Sequence, residues 1–363
     1  MKELFSMKKK VLHIVEAFGG GVFTYLVALA NGTCEEFDVT IAYTVRPQTP
    51  ENFQRFLDER VHLIEMKHQQ RSINLKKDLR GAKEIREIVQ SVSPDVIHLH
   101  SSKAGFLGRI AIDCHKNKVF YTPHGFSFLK QDDPVFVRMI YYMVEKAAAW
   151  FGGEIIAVSK GEYEEARKLT KRASYINNGV ELTTQLREFS ANSVIKDITK
   201  PVIGTLGRIC YQKNPRLFNE VAETLSEDAF LWIGMGEMQE FIRSSNVQIT
   251  GWCEHEEALQ HLNEVDVFLL TSLWEGLPIS LLEAMYLKKI CIVTNVIGNR
   301  DVIEHGVNGF IADTPEEMVS IIGELKAGKW DYAKITEKAK ADIEEKYNIL
   351  IMCKEYSKRY REG

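Results

Sequence analysis

Paired cysteines are missing from this chain. Its six cysteines (Cys34, Cys114, Cys210, Cys253, Cys291 and Cys353) are scattered, with no C-x-x-C. That excludes the usual zinc clusters and speaks against a disulfide framework, leaving reduced thiols in a cytoplasmic protein as the expectation. Long apolar runs are missing too. The most apolar stretch, 135–151, is broken by Arg138, Glu145 and Lys146, and nothing approaches the roughly 20 residues of a membrane-spanning helix. The first ten residues are rich in lysine, but the VLHIV that follows runs straight into glycines and makes no signal-peptide core. There is no low-complexity tract, no short repeat, no basic-aromatic stripe of a nucleic-acid binder and no D-x-D pair.

The composition itself is globular: 363 residues, 45% hydrophobic and 26% charged, enough for about two domains with full cores. A net charge of −4 hides an asymmetry. Residues 1–180 carry 26 Lys and Arg against 21 Asp and Glu, and residues 181–363 carry 20 against 29. A mildly basic first half suits an anionic membrane surface or an anionic ligand.

Short apolar runs alternate with helical patterns. The first half has strand-like runs at 10–16, 38–44, 61–66, 94–101, 118–123 and 154–159; the second has them at 201–207, 230–234, 247–250, 265–272 and 291–295. Between them lie amphipathic stretches such as 74–92, with Leu75, Leu79, Ala82, Ile85 and Val89 at helical spacing. This alternation predicts two α/β domains with parallel sheets covered on both faces, set across a cleft. The periodicity lapses over 181–200, which reads as the linker, and 331–361 reads as one charged helical pattern. The expected division is 1–183, joined by a C-terminal helix 345–363, and 184–344.

Four segments carry chemistry. In TSLWEGLPISLLEAM (271–285) a buried strand ends at Thr271–Ser272, a loop carries Glu275 and Gly276, and Pro278 suits a first helical position. The free N–H groups of that helix start make an anion site suited to phosphate. Ser280 and Glu283 share a helix face, and Glu283 lies roughly 8 Å into the helix, where a carboxylate can accept both hydroxyls of a ribose. In GTLGRICYQKNP (204–215), Arg208 and Lys213 share a glycine loop after a strand, a pair able to neutralise a diphosphate, with Asn214 and Pro215 as cap and first helical residue. In AFGGGVFTYL (17–26), Gly19, Gly20 and Gly21 are consecutive, so the loop is either a phosphate cradle or a tight turn; the G-x-G-x-x-G register of a nicotinamide enzyme is absent. His124 follows a strand in YTPHGFSF (121–128). His98 and His100 share a strand face, but with no cysteine or carboxylate partner evident no metal is expected.

The segment EGLPISLLE resembles the E-x7-E motif of the retaining glycosyltransferases of family 4, which have the GT-B fold of two Rossmann-like doubly wound domains. The resemblance implies a donor site in which Glu283 binds the nucleotide ribose, Glu275 lies beside the donor sugar, and Gly276, Leu277, Pro278, Ile279, Ser280 and Leu281 contact sugar and phosphates. The 204–215 segment resembles the family's donor-phosphate site, Gly20 and Gly21 its Gly-Gly loop, and His124 the histidine that contacts the donor sugar. The segment 176–180 (INNGV) resembles the N-G-V before the linker, and Trp252, in Gly251–Trp252–Cys253, falls where the family places the base. One departure stands out: in VIGNRDVIEHGVNGF (296–310), Asn299 and Asp301 replace an expected glycine and glutamate.

The reading that follows is a hexose transfer from a nucleotide sugar, with UDP the expected nucleotide, to an acceptor hydroxyl with retained configuration. It needs neither cofactor nor metal. Assembly of cell-surface polysaccharide or glycolipid is the expected setting, and no nucleic acid takes part. His124, Glu275, Arg208 and Lys213 would be catalytic. The basic first domain would receive a saccharide or lipid-linked acceptor at the inner membrane surface, with Lys103, Arg109 and Arg138 as contacts, although these read as readily as ordinary solvated charges. A sugar-nucleotide epimerase and a non-catalytic nucleotide-sugar-binding scaffold are the rivals.

Overall fold

The computed structural model describes residues 8–68, 75–193, 195 and 197–362. They divide into two compact units. The first comprises Met1–Leu129, Val135–Asn178 and Ile349–Gly363, and the second Lys130–Pro134 and Gly179–Asn348.

The first unit is built on β1 (Lys10–Val15), β2 (Asp38–Tyr43), β3 (His62–Glu65), β4 (Val96–His100), β5 (Lys118–Thr122), β6 (Glu154–Ala157) and β7 (Ala173–Tyr175), in the order β3-β2-β1-β4-β5-β6-β7. The second has β8 (Val202–Leu206), β9 (Ala229–Ile233), β10 (Val247–Ile249), β11 (Val267–Leu270), β12 (Ile290–Val293) and β13 (Phe310–Ile311), in the order β10-β9-β8-β11-β12-β13. Among the described residues, every pairing between these strands is parallel. Parallel strands need crossovers, and the intervening helices cover both sheet faces; β4, β11 and β12 are buried throughout, which is why they read as continuous apolar runs. In both sheets the strand order reverses at one point, between β1 and β4 and between β8 and β11. Open parallel sheets bind ligands beyond the strand carboxyl ends at such a point.

The expected doubly wound α/β architecture is present, with three local differences. The edge strands β7 and β13, three and two residues long, carry too little pattern to be read. The supposed linker contains a helix, Thr184–Asn192. Thr183 caps it by accepting from the Leu186 amide, and buried Ser190 donates to the Tyr286 carbonyl at 2.7 Å. Two turns with one buried face are too short to show as periodicity. The C-terminal pattern is two helices, Tyr332–Lys346 and Ile349–Arg361, broken at Tyr347–Asn348. The 74–92 pattern is a helix over Leu75–Val92, while residues 1–7 and Asn74 lie outside the described residues. No described helix is long and apolar enough to cross a membrane.

The core of the first unit holds an ion pair. Arg109 donates to Glu145 at 2.7 Å and to the Gly105 carbonyl at 2.8 Å, with its guanidinium 4.3 Å from the centre of the Tyr121 ring. Tyr121 donates its hydroxyl to the other Glu145 oxygen at 2.8 Å. Removing one member leaves a buried charge, so Arg109→Met should lower stability by about 3–5 kcal/mol in urea unfolding. A loss under about 1 kcal/mol would contradict the burial of this pair.

Candidate functional site

In the second unit, the loops after β8 and β11 meet at the switch point. Gly207 (φ +147°) ends β8 where a Cβ would stand 3.2 Å from the Lys213 side chain, and a Cβ on Gly234 (φ +129°) would stand 2.4 Å from the Gly207 carbonyl. Only glycine allows this approach of backbone to backbone and to Lys213. Lys213 then donates to Glu275 at 2.7 Å. Ser272 donates to the same carboxylate oxygen at 2.7 Å, and Gln212 to the other at 3.3 Å. Thr271 donates to the Lys213 carbonyl at 2.7 Å, tying the two loops a second time. Glu275 is buried and Lys213 half-buried, so the pair is desolvated enough to matter. Arg208 is exposed and only 3.7 Å from Glu237, a contact of little energetic weight that leaves the guanidinium available.

The helix after this loop spans Ile279–Tyr286. Pro278 is its N-cap (ψ 119°), one position earlier than expected, and no side chain caps the start. Gly276, Leu277, Pro278 and Leu281 are buried, with Ile279 and Ser280 half-buried. An uncapped helix start beside Lys213 is a ready anion site. Glu283 is buried one turn in, where its carboxylate meets His255 Nε2 at 2.7 Å. The Glu283 charge raises the His255 pKa above its ordinary value. Sequence reading missed His255; its signal was position, three residues after Trp252, which is 62% exposed. The departure at 299–301 is structural: Asn299 is buried, donating to the Thr294 carbonyl at 3.1 Å, and Asp301 accepts from the Gly298 amide at 3.1 Å. Gly298 (φ +85°) passes so close to Gly276 that a Cβ would lie 2.5 Å from the Gly276 carbonyl.

In the first unit, Gly20 (φ +55°) and Gly21 open the helix Gly20–Thr33, exposed and with nothing within 4 Å of a Cβ on either. His124 (φ +54°) is half-buried at the end of β5, in a turn held by fully buried Glu162, which accepts from the Gly125 amide at 2.5 Å and the Val158 amide at 2.8 Å. Glu162, also missed, sits inside an ordinary helical pattern that gave no sign of it. His124 Nε2 lies 3.1 Å from His100 Nδ1, and His100 Nε2 lies 3.0 Å from His13 Nδ1.

His13 opposes His98 in the β1–β4 register, so three histidines share one buried face. Thr122 donates its hydroxyl to the Ile156 carbonyl and therefore accepts from His98 Nε2 at 2.8 Å, so His98 Nδ1 accepts from the Tyr360 hydroxyl at 2.7 Å. The ring nitrogens of His13, His98 and His100 come close enough to hold a metal ion, a grouping the sequence pair alone did not reveal. Both nitrogens of His98 and of His100 already carry hydrogen bonds, so an ion there would have to displace them.

The suggested acceptor contacts fare differently. Arg109 is 1% exposed and spent on Glu145, so it offers nothing to an acceptor. Lys103 pairs with Asp78 at 2.8 Å, and Arg138 is half-buried, donating to the Phe128 carbonyl at 3.0 Å.

Comparison with known proteins gives this arrangement its class. A family model described as Glycosyltransferase Family 4 matches residues 19–184, and one described as Glycosyl transferases group 1 matches 200–327. The chain is 29% identical over 292 residues to an Escherichia coli UDP-Gal:alpha-D-GlcNAc-diphosphoundecaprenol alpha-1,3-galactosyltransferase, covering 71% of this chain and 72% of that one. It is 30% identical to an uncharacterized 41.2 kDa protein of the Klebsiella pneumoniae cps region, covering 66% and 72%. In structure it resembles sucrose-phosphate synthase from Thermosynechococcus elongatus (TM-score 0.79, 16% identity, 98% and 99% covered). It also resembles Anabaena HepE in complex with UDP and glucose (0.75, 17%, 97% and 99%). The two parallel-sheet units are those of a GT-B glycosyltransferase. The chain belongs to glycosyltransferase family 4.

Burial lowers the pKa of His13 and His124 to about 3, and pushes His98 and His100 well down. An unfolded histidine binds its proton near pH 6.5, so stability is full above that pH and falls as pH drops toward 3, by about 1.4 kcal/mol per unit per histidine. His255 acts oppositely, its contribution being lost only above pH 6.5. The melting temperature should therefore fall between pH 6.5 and 5, and less steeply in His13→Asn. A flat profile would contradict the buried neutral cluster.

Proposed function

We propose that this glycosyltransferase moves a hexose-type sugar from a UDP-sugar to a hydroxyl of a lipid-linked or saccharide acceptor, retaining anomeric configuration, in cell-surface polysaccharide or glycolipid synthesis at the inner membrane face. The observation that carries it is the Lys213–Glu275 pair beside an uncapped helix start, with exposed Arg208 on the same loop and Glu283 one turn into the helix. Two relatives support the acceptor class by their names: the E. coli galactosyltransferase, and a Campylobacter jejuni N,N'-diacetylbacillosaminyl-diphospho-undecaprenol alpha-1,3-N-acetylgalactosaminyltransferase, 27% identical over 173 residues.

In this reading the diphosphate lies against the start of helix Ile279–Tyr286. As the bond between the anomeric carbon and phosphate oxygen breaks, negative charge grows on the phosphate and is met by Arg208, Lys213 and the helix N–H groups, with no divalent ion required. Lys213 is held ready by Glu275, so the diphosphate competes with that carboxylate for one ammonium group. The acceptor hydroxyl attacks from the face the phosphate leaves, and its proton passes to the departing phosphate oxygen. No enzyme nucleophile is needed, and retention follows from same-face attack. Glu283 receives the ribose hydroxyls, oriented by His255, and Trp252 lies toward the base. His124, Gly20 and Gly21 are the first unit's donor contacts.

Thermal unfolding in chelator tests this. UDP at about 100 times its dissociation constant adds about 2.7 kcal/mol and should raise the melting temperature by several degrees. Glu283→Ala should weaken UDP binding at least tenfold while the protein stays folded. Unchanged affinity would sink the ribose assignment, and a UDP shift abolished by chelator would sink metal independence.

A further inference from the structure

The helix Val135–Ala148 is built inside out. Its only acid, Glu145, is buried against Arg109 and Tyr121, and its inward side also carries Arg138 and Tyr142. Outward it presents Phe136, Met139, Ile140 and Met143 at spacings of three and four, between 55% and 67% exposed, flanked by Val135. An amphipathic helix of a water-soluble face does the reverse. Just past the helix end, Trp150 is 81% exposed and Phe151 is exposed too. A contiguous apolar surface of this kind in water marks something it docks against.

The geometry points to an anionic phospholipid bilayer as the occupant, with this helix lying flat in the headgroup layer. Fourteen residues make about 21 Å, too short to span a bilayer core of about 30 Å but suited to lying in its surface. An exposed tryptophan at one end is the side chain that favours that layer. Charge selects the lipid: the unit carrying the strip has 29 Lys and Arg against 21 Asp and Glu, whereas the other unit has 17 against 29. Within the helix the one acid is buried, and the other two charges, Arg138 and Lys146, are basic and half-buried. This surface deepens the proposed lipid-linked acceptor, since it would bring the chain to the membrane where such an acceptor resides. It stands on the strip and the charge asymmetry rather than on the donor site.

The test is co-sedimentation of the full chain with sucrose-loaded vesicles of phosphatidylcholine alone or with 30% phosphatidylglycerol. The chain should sediment with the phosphatidylglycerol vesicles at least tenfold better than with phosphatidylcholine, and less as salt is raised. Met139→Glu/Met143→Glu, changes at exposed positions, should reduce binding at least tenfold and leave the UDP-induced thermal shift intact, which separates this surface from the donor site. Light scattering is read on the same samples. Equal sedimentation of the variant overturns the inference. So does a wild-type chain that ignores vesicles but is dimeric and becomes monomeric in the variant, since the strip would then be a protein interface.

Discussion

An all-parallel sheet with helices on both faces hides its central strands, so the side chains they offer to a ligand sit where those strands end. Both units obey this constraint, and the switch between β1 and β4 or between β8 and β11 opens the widest gap between diverging crossovers. The residues that matter cluster there because nothing else in such a unit can present them. In the second unit the gap is lined by Lys213 from one loop and Glu275 from the next. In the first it is lined by the glycine loop after β1 and by His100 at the end of β4.

The Lys213–Glu275 contact changes how the proposed donor site is understood. Read separately, the lysine is proposed as a phosphate ligand and the glutamate as a neighbour of the sugar. Joined at 2.7 Å, with Ser272 and Gln212 on the same carboxylate, they form a preset element in which the glutamate fixes the position of the cation. Preorganisation of this kind lets charge developing on a leaving group meet a group already in place. Glu283 and His255 repeat the pattern one turn along, with a buried carboxylate oriented by a partner from the helix His255–Glu264.

Much of this was legible in the chain. Eleven strands read as apolar runs, most plainly the central ones that are buried on both faces, and the Glu275-to-Glu283 spacing announced a strand–loop–helix with carboxylates at fixed offsets. What escaped depends on register or burial, which spacing does not encode. His13 joins His98 and His100 only because β1 pairs with β4 in one register. Glu162 looks like a surface helix glutamate until its carboxylate is found on two backbone amides. Arg109 looks like a solvated cation until Glu145 is found beneath the same helix layer, and the Thr184–Asn192 helix is too short to carry a period.

The most direct test is calorimetric titration with UDP and with uridine, on the wild type and on Arg208→Gln and Lys213→Gln. If the diphosphate is gripped by these cations, the wild type binds UDP at least a hundredfold more tightly than uridine, and each variant closes much of that gap by weakening UDP alone. A Lys213→Gln protein that is folded and binds UDP as tightly as the wild type would contradict the account.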